Sequence, residues 1–164
     1  MRPADLFILL LLIAPSLAAD SHHVEADEKA DFSTFKTFVL REGRATSRKA
    51  EINNALTLKT IEDAIRAGLS ARGFTEIQDR ADLIVTFSVA EEPQRVVTGR
   101  GIRDMKAVSH SVGTLVIEMT KAGTTRVVWH GTYLDDEVNA SNLAKNLPKD
   151  AKKLLAEFPP KRKR

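Results

Sequence analysis

Three segments of the chain alternate apolar and polar residues with the period of a half-buried β-strand. Residues 83–89 place large apolar side chains on one face and Thr86 and Ser88 on the other. Residues 113–132 contain two more alternating runs, which are separated by the turn-like sequence Lys121-Ala122-Gly123-Thr124-Thr125. Shorter strands are predicted over 24–26 and 37–40. The pattern therefore predicts a sheet whose long strands form a hairpin.

A helical period appears in two other segments. The first stripe consists of Leu58, Ile61, Ile65 and Leu69. Asn53 or Asn54 can cap its start, and Gly73 is well placed just beyond its end. The second stripe consists of Leu143, Leu147, Ala151, Leu154, Leu155 and Phe158. Pro148 interrupts it and is tolerated if a helix begins there, while Pro159-Pro160 ends it.

These elements predict an α+β fold, with an antiparallel sheet of four or five strands and both helices packed on one face. In the second strand of the hairpin, Val127, Trp129 and Gly131 share one side, so Trp129 and His130 point to opposite sides of the sheet. We expect Trp129 in the core. We expect His130 to pair with Val116 and to lie diagonal to Glu118.

Two polar segments lack any apolar period. Residues 41–53 are predicted to form a mobile loop. Residues 91–111 contain Pro93, Gly99, Gly101 and four basic residues, and are predicted to be a mobile or ligand-facing connection.

The amino terminus has the order of a secretory signal peptide. An apolar run over 6–14 is followed by Pro15 and small residues at Ser16, Ala18 and Ala19. We predict a signal peptide over 1–18, a disordered lead-in over 19–23, one domain over 24–160 and a basic tail over 161–164. The apolar run is shorter than the roughly 20 residues that span a bilayer. We therefore expect a soluble, monomeric protein, periplasmic or secreted, with no transmembrane segment after cleavage.

Composition narrows the range of partners. The chain of 164 residues contains no cysteine, so it has neither disulfides nor a cysteine for lipid attachment. Its net charge is +3, and removing the four positive charges of Lys161, Arg162, Lys163 and Arg164 leaves −1 for the rest. We expect this tail to make only weak contacts with polyanions, and we expect no nucleic-acid partner.

Five short motifs, in order along the chain, carry a resemblance to a known family. They are Asp31-Phe32-Ser33-x-Phe35-Lys36-Thr37-Phe38, Ala81-Asp82-Leu83-Ile84-Val85, Gly113-Thr114-Leu115-Val116-Ile117-Glu118, Val128-Trp129-x-Gly131 and Phe158-Pro159-Pro160. Together they resemble the bacterial envelope proteins grouped as domain of unknown function 4136. The resemblance implies an α+β envelope protein and carries over no catalytic residue. Members of that family are often lipoproteins, whereas this chain lacks the cysteine required for lipid attachment.

Three local motifs fall short of known chemistry. Gly68-Leu69-Ser70-Ala71-Arg72-Gly73 is one residue too long for a nucleophile elbow and ends a helix. Ser109-His110-Ser111 places hydroxyls directly beside an imidazole along the chain, which is the wrong geometry for a nucleophile and its base in an extended segment, and no orienting acid accompanies them. Thr98-Gly99-Arg100-Gly101, with Arg95 and Arg103, lacks the spacing of a P-loop or dinucleotide loop. We predict no cofactor and no catalytic residue.

The sequence favours a non-enzymatic envelope module that binds an envelope protein, lipid or glycan through the outer sheet face, a sheet edge or the 91–111 segment. Two alternatives stay open. One is a carrier of a metal or small ligand, and the other is an enzyme whose site the sequence does not reveal.

Sequencing the amino terminus of the exported protein tests the leader and one metal site together. We expect cleavage after Ala18, which leaves X-X-X-His and no planar four-nitrogen site. Cleavage after Ala19 would instead start the chain at Asp20-Ser21-His22, whose amine, two amide nitrogens and imidazole suit Cu(II) or Ni(II). A chain that keeps residues 1–18 would contradict the leader, and an Asp20-starting chain that fails to bind Cu(II) at neutral pH would contradict the metal site.

Overall fold

A computed structural model describes residues 21–98, 106–136 and 139–160, and within them the chain forms seven strands and two α-helices. In chain order the elements are β1 (Ser21–Ala26), a 3₁₀ turn (Phe32–Thr34), β2 (Thr37–Leu40), β3 (Arg44–Thr46), α1 (Ala55–Ser70), β4 (Thr75–Glu76), β5 (Leu83–Thr98), β6 (Lys106–Lys121), β7 (Val127–Asp135) and α2 (Ala140–Leu155).

The seven strands form one mixed sheet of order β1-β7-β6-β5-β2-β4, and β3 pairs with β5 beyond the end of β2. β1, β7, β6 and β5 are antiparallel neighbours, whereas β2 and β3 run parallel to β5, and β4 runs parallel to β2. The predicted α+β class is confirmed, but an antiparallel sheet of four or five strands is wrong. The crossover through α1 returns the chain to the same end of the sheet, so β2 and β5 run in one direction.

One face of this sheet, the inner face, is covered by both helices. The alternating residues Leu83, Val85, Phe87 and Val89 lie on it and are buried, as predicted. α1 packs its predicted stripe there: Ile61, Ile65 and Leu69 are fully buried. Burial contributes roughly 1.5–3 kcal/mol for each of these side chains before the entropic cost is subtracted.

The helices also pack against each other, and a glycine permits their close approach. A Cβ at Gly68 would lie 2.7 Å from Leu155 Cδ1. Asn54 caps α1 by accepting a hydrogen bond from the Thr57 amide at 2.9 Å. Gly73 follows the helix with a φ of 84°, a conformation that favours glycine. Both sequence signals for the ends of α1 are therefore confirmed.

The second helix, α2, begins at Ala140, so Pro148 does not lie in its first turn as expected from the sequence. Asn139 caps it through the Ser141 amide, and Pro148 lies inside the helix. An interior proline loses one backbone hydrogen bond and costs roughly 3 kcal/mol. Burial of Leu143 and Leu147 on the amino-terminal side of Pro148 offsets this cost, because both side chains are in the core.

Both segments predicted as loops contain strand. β3 lies within 41–53, where Ile52 is also fully buried, so this segment is anchored at two points. Most of 91–111 continues β5 and β6, which stay paired from Leu83 with Lys121 to Thr98 with Lys106. Backbone pairing needs no apolar period, so the sequence pattern does not reveal these parts of the two strands.

The amino-terminal boundary also differs from the expectation. Residues 21–23, placed in the disordered lead-in, form the first half of β1 and pair with β7. In β7, a register shift opposite Met119 and Thr120 leaves Val127 43% exposed and buries both Val128 and Trp129. The predicted common face for Val127 and Trp129 is therefore wrong, because a bulge breaks the alternation.

The Asp82 carboxylate joins the start of β2 to the start of β5. Its Oδ2 accepts hydrogen bonds from the amides of Lys36 and Thr37 at 2.8 and 2.9 Å and from the Thr37 hydroxyl at 2.8 Å. Thr37 Oγ1 in turn accepts from the Asp82 amide at 3.0 Å. The Lys36 amide, followed by the Thr37 hydroxyl, holds the pKa of Asp82 below its ordinary value of 3.8.

We expect Asp82→Asn to lower the free energy of unfolding at neutral pH by roughly 1–2 kcal/mol, since this carboxylate is partly open to water. A lowered pKa stabilises the fold above the unfolded value and is lost as the pH falls through the folded pKa. Urea titrations should therefore show a larger difference at pH 7 than at pH 3. Asp79→Asn, at an exposed neighbouring position, is the control, and an equal loss in both variants would contradict the role of Asp82.

Candidate functional site

The face of the sheet opposite the helices, the open face, is accessible to solvent. Its side chains come from alternate positions of β1, β7, β6, β5 and β3, and outside residues 93–111 none of them is fully buried. The central members are Thr86, Ser88, Thr114, Val116, Glu118, His130 and Thr132. Polar and small β-branched residues dominate, as expected for a face that meets water.

A hydrogen-bonded group lies at the centre of the open face. His130 Nδ1 is 3.1 Å from Glu118 Oε1, and its Nε2 is 2.9 Å from Thr132 Oγ1. With its proton on Nδ1, the imidazole donates to the carboxylate and accepts from the hydroxyl. The three side chains are brought together because Glu118 pairs directly with His130, and Thr132 lies two residues along the same strand.

The opposite orientation of Trp129 and His130 is confirmed. Trp129 is 1% exposed on the inner face, where its ring meets Phe158 at a centroid distance of 5.6 Å. The predicted partners of His130 need correction. Val116 pairs with Thr132, and Glu118 lies directly opposite His130 instead of diagonally. The bulge in β7 sets this register, and the turn sequence does not reveal it.

A cleft of about 480 Å³ opens beside this group, where the sheet edge passes from β2 to β3. We call it the Arg41 cleft. Its lining residues are Arg41, Glu42, Arg44, Thr86, Phe87, Ser88, Val116 and Glu118. Two cations and two carboxylates therefore surround a floor of small side chains. Glu118 belongs both to the cleft and to the His130 group, so the two form one continuous surface.

The cleft exists because the edge of the sheet is interrupted for three residues. The Arg41 amide still donates to the Val85 carbonyl at 2.9 Å, and pairing resumes at Arg44 with Ser88. Between them, Gly43 lies against the ring of Phe87, and a Cβ at residue 43 would come within 1.9 Å of that ring. Only glycine fits this approach, so Gly43 permits the kink that opens the cleft.

On the other side of His130, the open face continues to the edge strand β1. Glu25 pairs with His130, so Glu25, His130, Glu118 and Thr86 form one row across four strands. At a strand spacing of about 4.8 Å, this row spans roughly 14 Å. The hydrogen bond from His23 at 3.0 Å, then the charge of His23 and to a smaller extent that of His130, lower the pKa of Glu25.

Thr132, His130 and Glu118 place a hydroxyl, an imidazole and a carboxylate in the order of a catalytic triad, in which these groups act as nucleophile, base and orienting acid. Acyl transfer further needs backbone donors aimed at a developing oxyanion. Here the neighbouring amides belong to strands β6 and β7, each of which is paired on both sides around Glu118, His130 and Thr132. The open face therefore supports polar recognition better than acyl transfer. Thr132 was not among the residues predicted from the sequence, although its i+2 spacing from His130 on a strand was the available signal.

The residues of the predicted metal site have other contacts where the structure describes them. Asp20 lies outside the described residues, and Ser21 and His22 belong to β1. His22 Nε2 is 2.6 Å from Glu157 Oε1, and its ring stacks on Tyr133 at a centroid distance of 6.2 Å. Wrapping a metal ion would require His22 to leave both neighbours. Among residues 21–98, 106–136 and 139–160, no three acidic or histidine side chains are grouped to hold a metal.

The other sequence motifs are placed as follows. Ser70 is the last residue of α1, which is not the position of a nucleophile elbow. Ser109-His110-Ser111 lies within β6. Residues 99–105, which include Gly99, Arg100, Gly101 and Arg103, and the tail 161–164 lie outside the described residues. In the part of the chain that is described, no helix has the length and hydropathy needed to span a membrane.

The family model described as Domain of unknown function (DUF4136) matches residues 22–160. No curated protein matches the sequence. A DUF4136 family protein from Bacteroides thetaiotaomicron has a similar structure, with a TM-score of 0.59 and 17% identity over 85% of this chain and 96% of its own.

Two further solved structures share the fold at low sequence identity. A PDZ domain protein from Parabacteroides distasonis has a TM-score of 0.61 and 14% identity over 87% of this chain, which spans only 36% of that longer protein. A putative neuraminyllactose-binding hemagglutinin homolog from Helicobacter pylori has a TM-score of 0.52 and 12% identity, over 77% of this chain and 87% of its own. At these identities the likeness shows the fold alone.

If the open face serves recognition, its polar residues should contribute little to stability. We expect Glu118→Gln and His130→Gln each to change the free energy of unfolding by less than about 1 kcal/mol, since both side chains are partly solvated. Ile117→Ala, on the inner face of the same strand, should cost roughly 2–5 kcal/mol. Urea denaturation measures all three. A loss above about 2 kcal/mol in Glu118→Gln would show that the group supports the fold.

Proposed function

This chain is a member of the DUF4136 family, and from that premise we propose that it is a non-enzymatic module of the bacterial envelope that binds a protein partner on its open face. The observation that carries the proposal is the asymmetry of the sheet. Its inner face is filled by two helices, whereas its open face keeps polar side chains and a cleft accessible.

The chemistry of the open face favours a protein over other partners. Small residues such as Ser88 and Val116 make this surface nearly flat, so that another protein surface can pack on it. The two arginines and two glutamates of the Arg41 cleft offer pairs of both signs, which set the register of a protein contact. The guanidinium groups of Arg41 and Arg44 can each form a bidentate pair with a carboxylate of the partner.

Glycans and lipids fit the described part of this face less well. Sugar sites commonly use exposed aromatic rings, but the described rings of this chain lie on the inner side, and Phe87 in the cleft is only 4% exposed. Anionic lipid attracts clusters of basic residues, whereas the cleft balances its cations with carboxylates. The Helicobacter pylori protein is named for neuraminyllactose binding, so a glycan is the alternative outcome that the experiment must detect.

The envelope location is proposed from the sequence. The apolar run over 6–14 and the small residues that follow it support export. An exported binding module without cysteine needs a core that is stable on its own, and the continuous packing of the inner face against α1 and α2 meets that requirement.

Photo-crosslinking in the intact envelope tests this function. A photoreactive residue replaces Ser88, which is exposed beside the Arg41 cleft, or Lys59, which is exposed on α1. We expect Ser88 to yield a discrete adduct that mass spectrometry identifies as a polypeptide, and Lys59 to yield none. The Arg41→Glu and Arg44→Glu double variant should weaken the Ser88 adduct at least tenfold while thermal stability stays unchanged.

Each other outcome contradicts part of the proposal. A glycan or lipid adduct at Ser88 would exclude a protein partner. Adducts of equal strength at Ser88 and Lys59 would show that the open face has no preference.

A further inference from the structure

The outer ends of β5 and β6 form a two-stranded arm beyond the rest of the sheet. β3 pairs with β5 only as far as Ala90, and β7 pairs with β6 only as far as Gly113. From Glu92 with Val112 to Thr98 with Lys106, seven residue pairs continue with no third strand among the described residues. The arm is roughly 24 Å long. An isolated two-stranded ribbon is marginally stable in water, so a third strand beside this arm would stabilise it.

Two hydrogen bonds at the inner end of β6 show which backbone groups face away from β5. The Ala122 amide donates to the Asp82 carbonyl, on the β5 side, and the Lys121 amide donates to the Arg126 carbonyl, on the β7 side. Pairing with β5 is unbroken from Lys121 to Lys106. Because the direction alternates with each residue, Ala107, Ser109 and Ser111 direct their N–H and C=O groups to the outer edge of β6.

The two edges of the arm differ in their ability to accept a strand. On β5, the Val85 carbonyl bonds to Arg41, away from β6, so the odd-numbered residues face outward there too. Pro93 occupies one of these outward positions and has no N–H to donate. Proline at such a position is a common protection against edge pairing. The outward positions of β6 contain no proline, so each of them has an N–H to donate.

We propose that two copies of this chain pair through the outer edge of β6, with Ser109 opposite the same residue of the second copy. Antiparallel pairing around this point places Ala107 opposite Ser111 twice, and each of these three pairs exchanges two hydrogen bonds. The result is a four-stranded arm of order β5-β6-β6-β5. The contact is isologous, so it closes as a dimer and leaves no further edge of β6.

Length and charge both favour a second copy as the occupant. The unpaired edge of β6 begins where β7 ends at Asp135. It has the same length as the β6 edge of a second copy that would pair with it. In this register, Lys106 of one β6 lies opposite Val112 of the other. No charged residues of like sign lie opposite each other within the paired residues, because Lys106 is the only Lys, Arg, Asp or Glu among 106–112.

Sedimentation over a range of concentrations tests this dimer. We expect the full mature chain to approach twice its monomer mass, which would replace the monomer expected from the sequence. Ser109→Pro removes an outward amide without removing a bond to β5, and it should return the protein to a monomer. Val97→Pro makes the same change on the β5 edge and should leave the dimer intact. A monomer at all concentrations, or equal loss of dimer in both variants, would overturn the proposal.

A crosslinking pair keeps the test independent of folding defects. The chain has no native cysteine, so Ser109→Cys introduces a single thiol beside the two-fold axis, and Val97→Cys places one on the other edge. A short bismaleimide should link most of the Ser109→Cys chains into covalent dimers and few of the Val97→Cys chains. The reverse preference would assign the contact to β5 and overturn the proposal.

Discussion

Burial of a single sheet face under two helices is the constraint on which the rest of this structure depends. α1 and α2 must lie side by side on the inner face, and they approach closely because Gly68 leaves room for Leu155. The same requirement recurs where α2 meets β6, since a Cβ at Gly113 would lie 2.3 Å from Leu143 Cδ1. With most of the large apolar residues buried on one side, the open face carries mainly polar groups.

Most residues of the family motifs serve this packing, whereas Glu118 of the third motif also belongs to the candidate site. Phe158, from the last motif, contacts Phe32, Phe74 and Trp129 in one aromatic cluster. Asp82, from the second motif, bonds to Thr37 of the first. Gly131 follows Trp129 by two residues because a Cβ there would lie 2.5 Å from the indole. Motifs that hold a fold together recur whatever its members bind, so they identify the family and not the activity.

The two proposed surfaces arise from what the core leaves uncovered. The open face lies opposite the helices, and the edge of β6 lies beyond the end of β7, so one chain can use both at once. The row from Glu25 to Thr86 is about 14 Å wide on the open face, by the strand spacing given above. The arm instead projects from the end of the sheet. A partner on the open face and a second copy at the arm therefore need not compete for the same atoms.

The sequence by itself determined the elements whose side chains meet a core. Burial produces a regular spacing of apolar residues, and local hydrogen bonding selects particular residues at helix ends. These signals predicted the stripe of α1, its cap at Asn54, the alternation of 83–89 and the opposite orientations of Trp129 and His130. The prediction failed where that period is absent. The predicted loops contain β3 and the outer halves of β5 and β6, because backbone pairing by itself leaves no period in the side chains.

Only the tertiary structure decided which polar residues meet. The parallel pairing of β2 with β5 depends on the crossover through α1, and the contact of His130 with Glu118 depends on a bulge that moved the register. The Arg41 cleft depends on Gly43 lying against Phe87 across two strands. Each of these is a contact between distant segments, set by how the whole chain packs, and no local sequence period encodes such a contact.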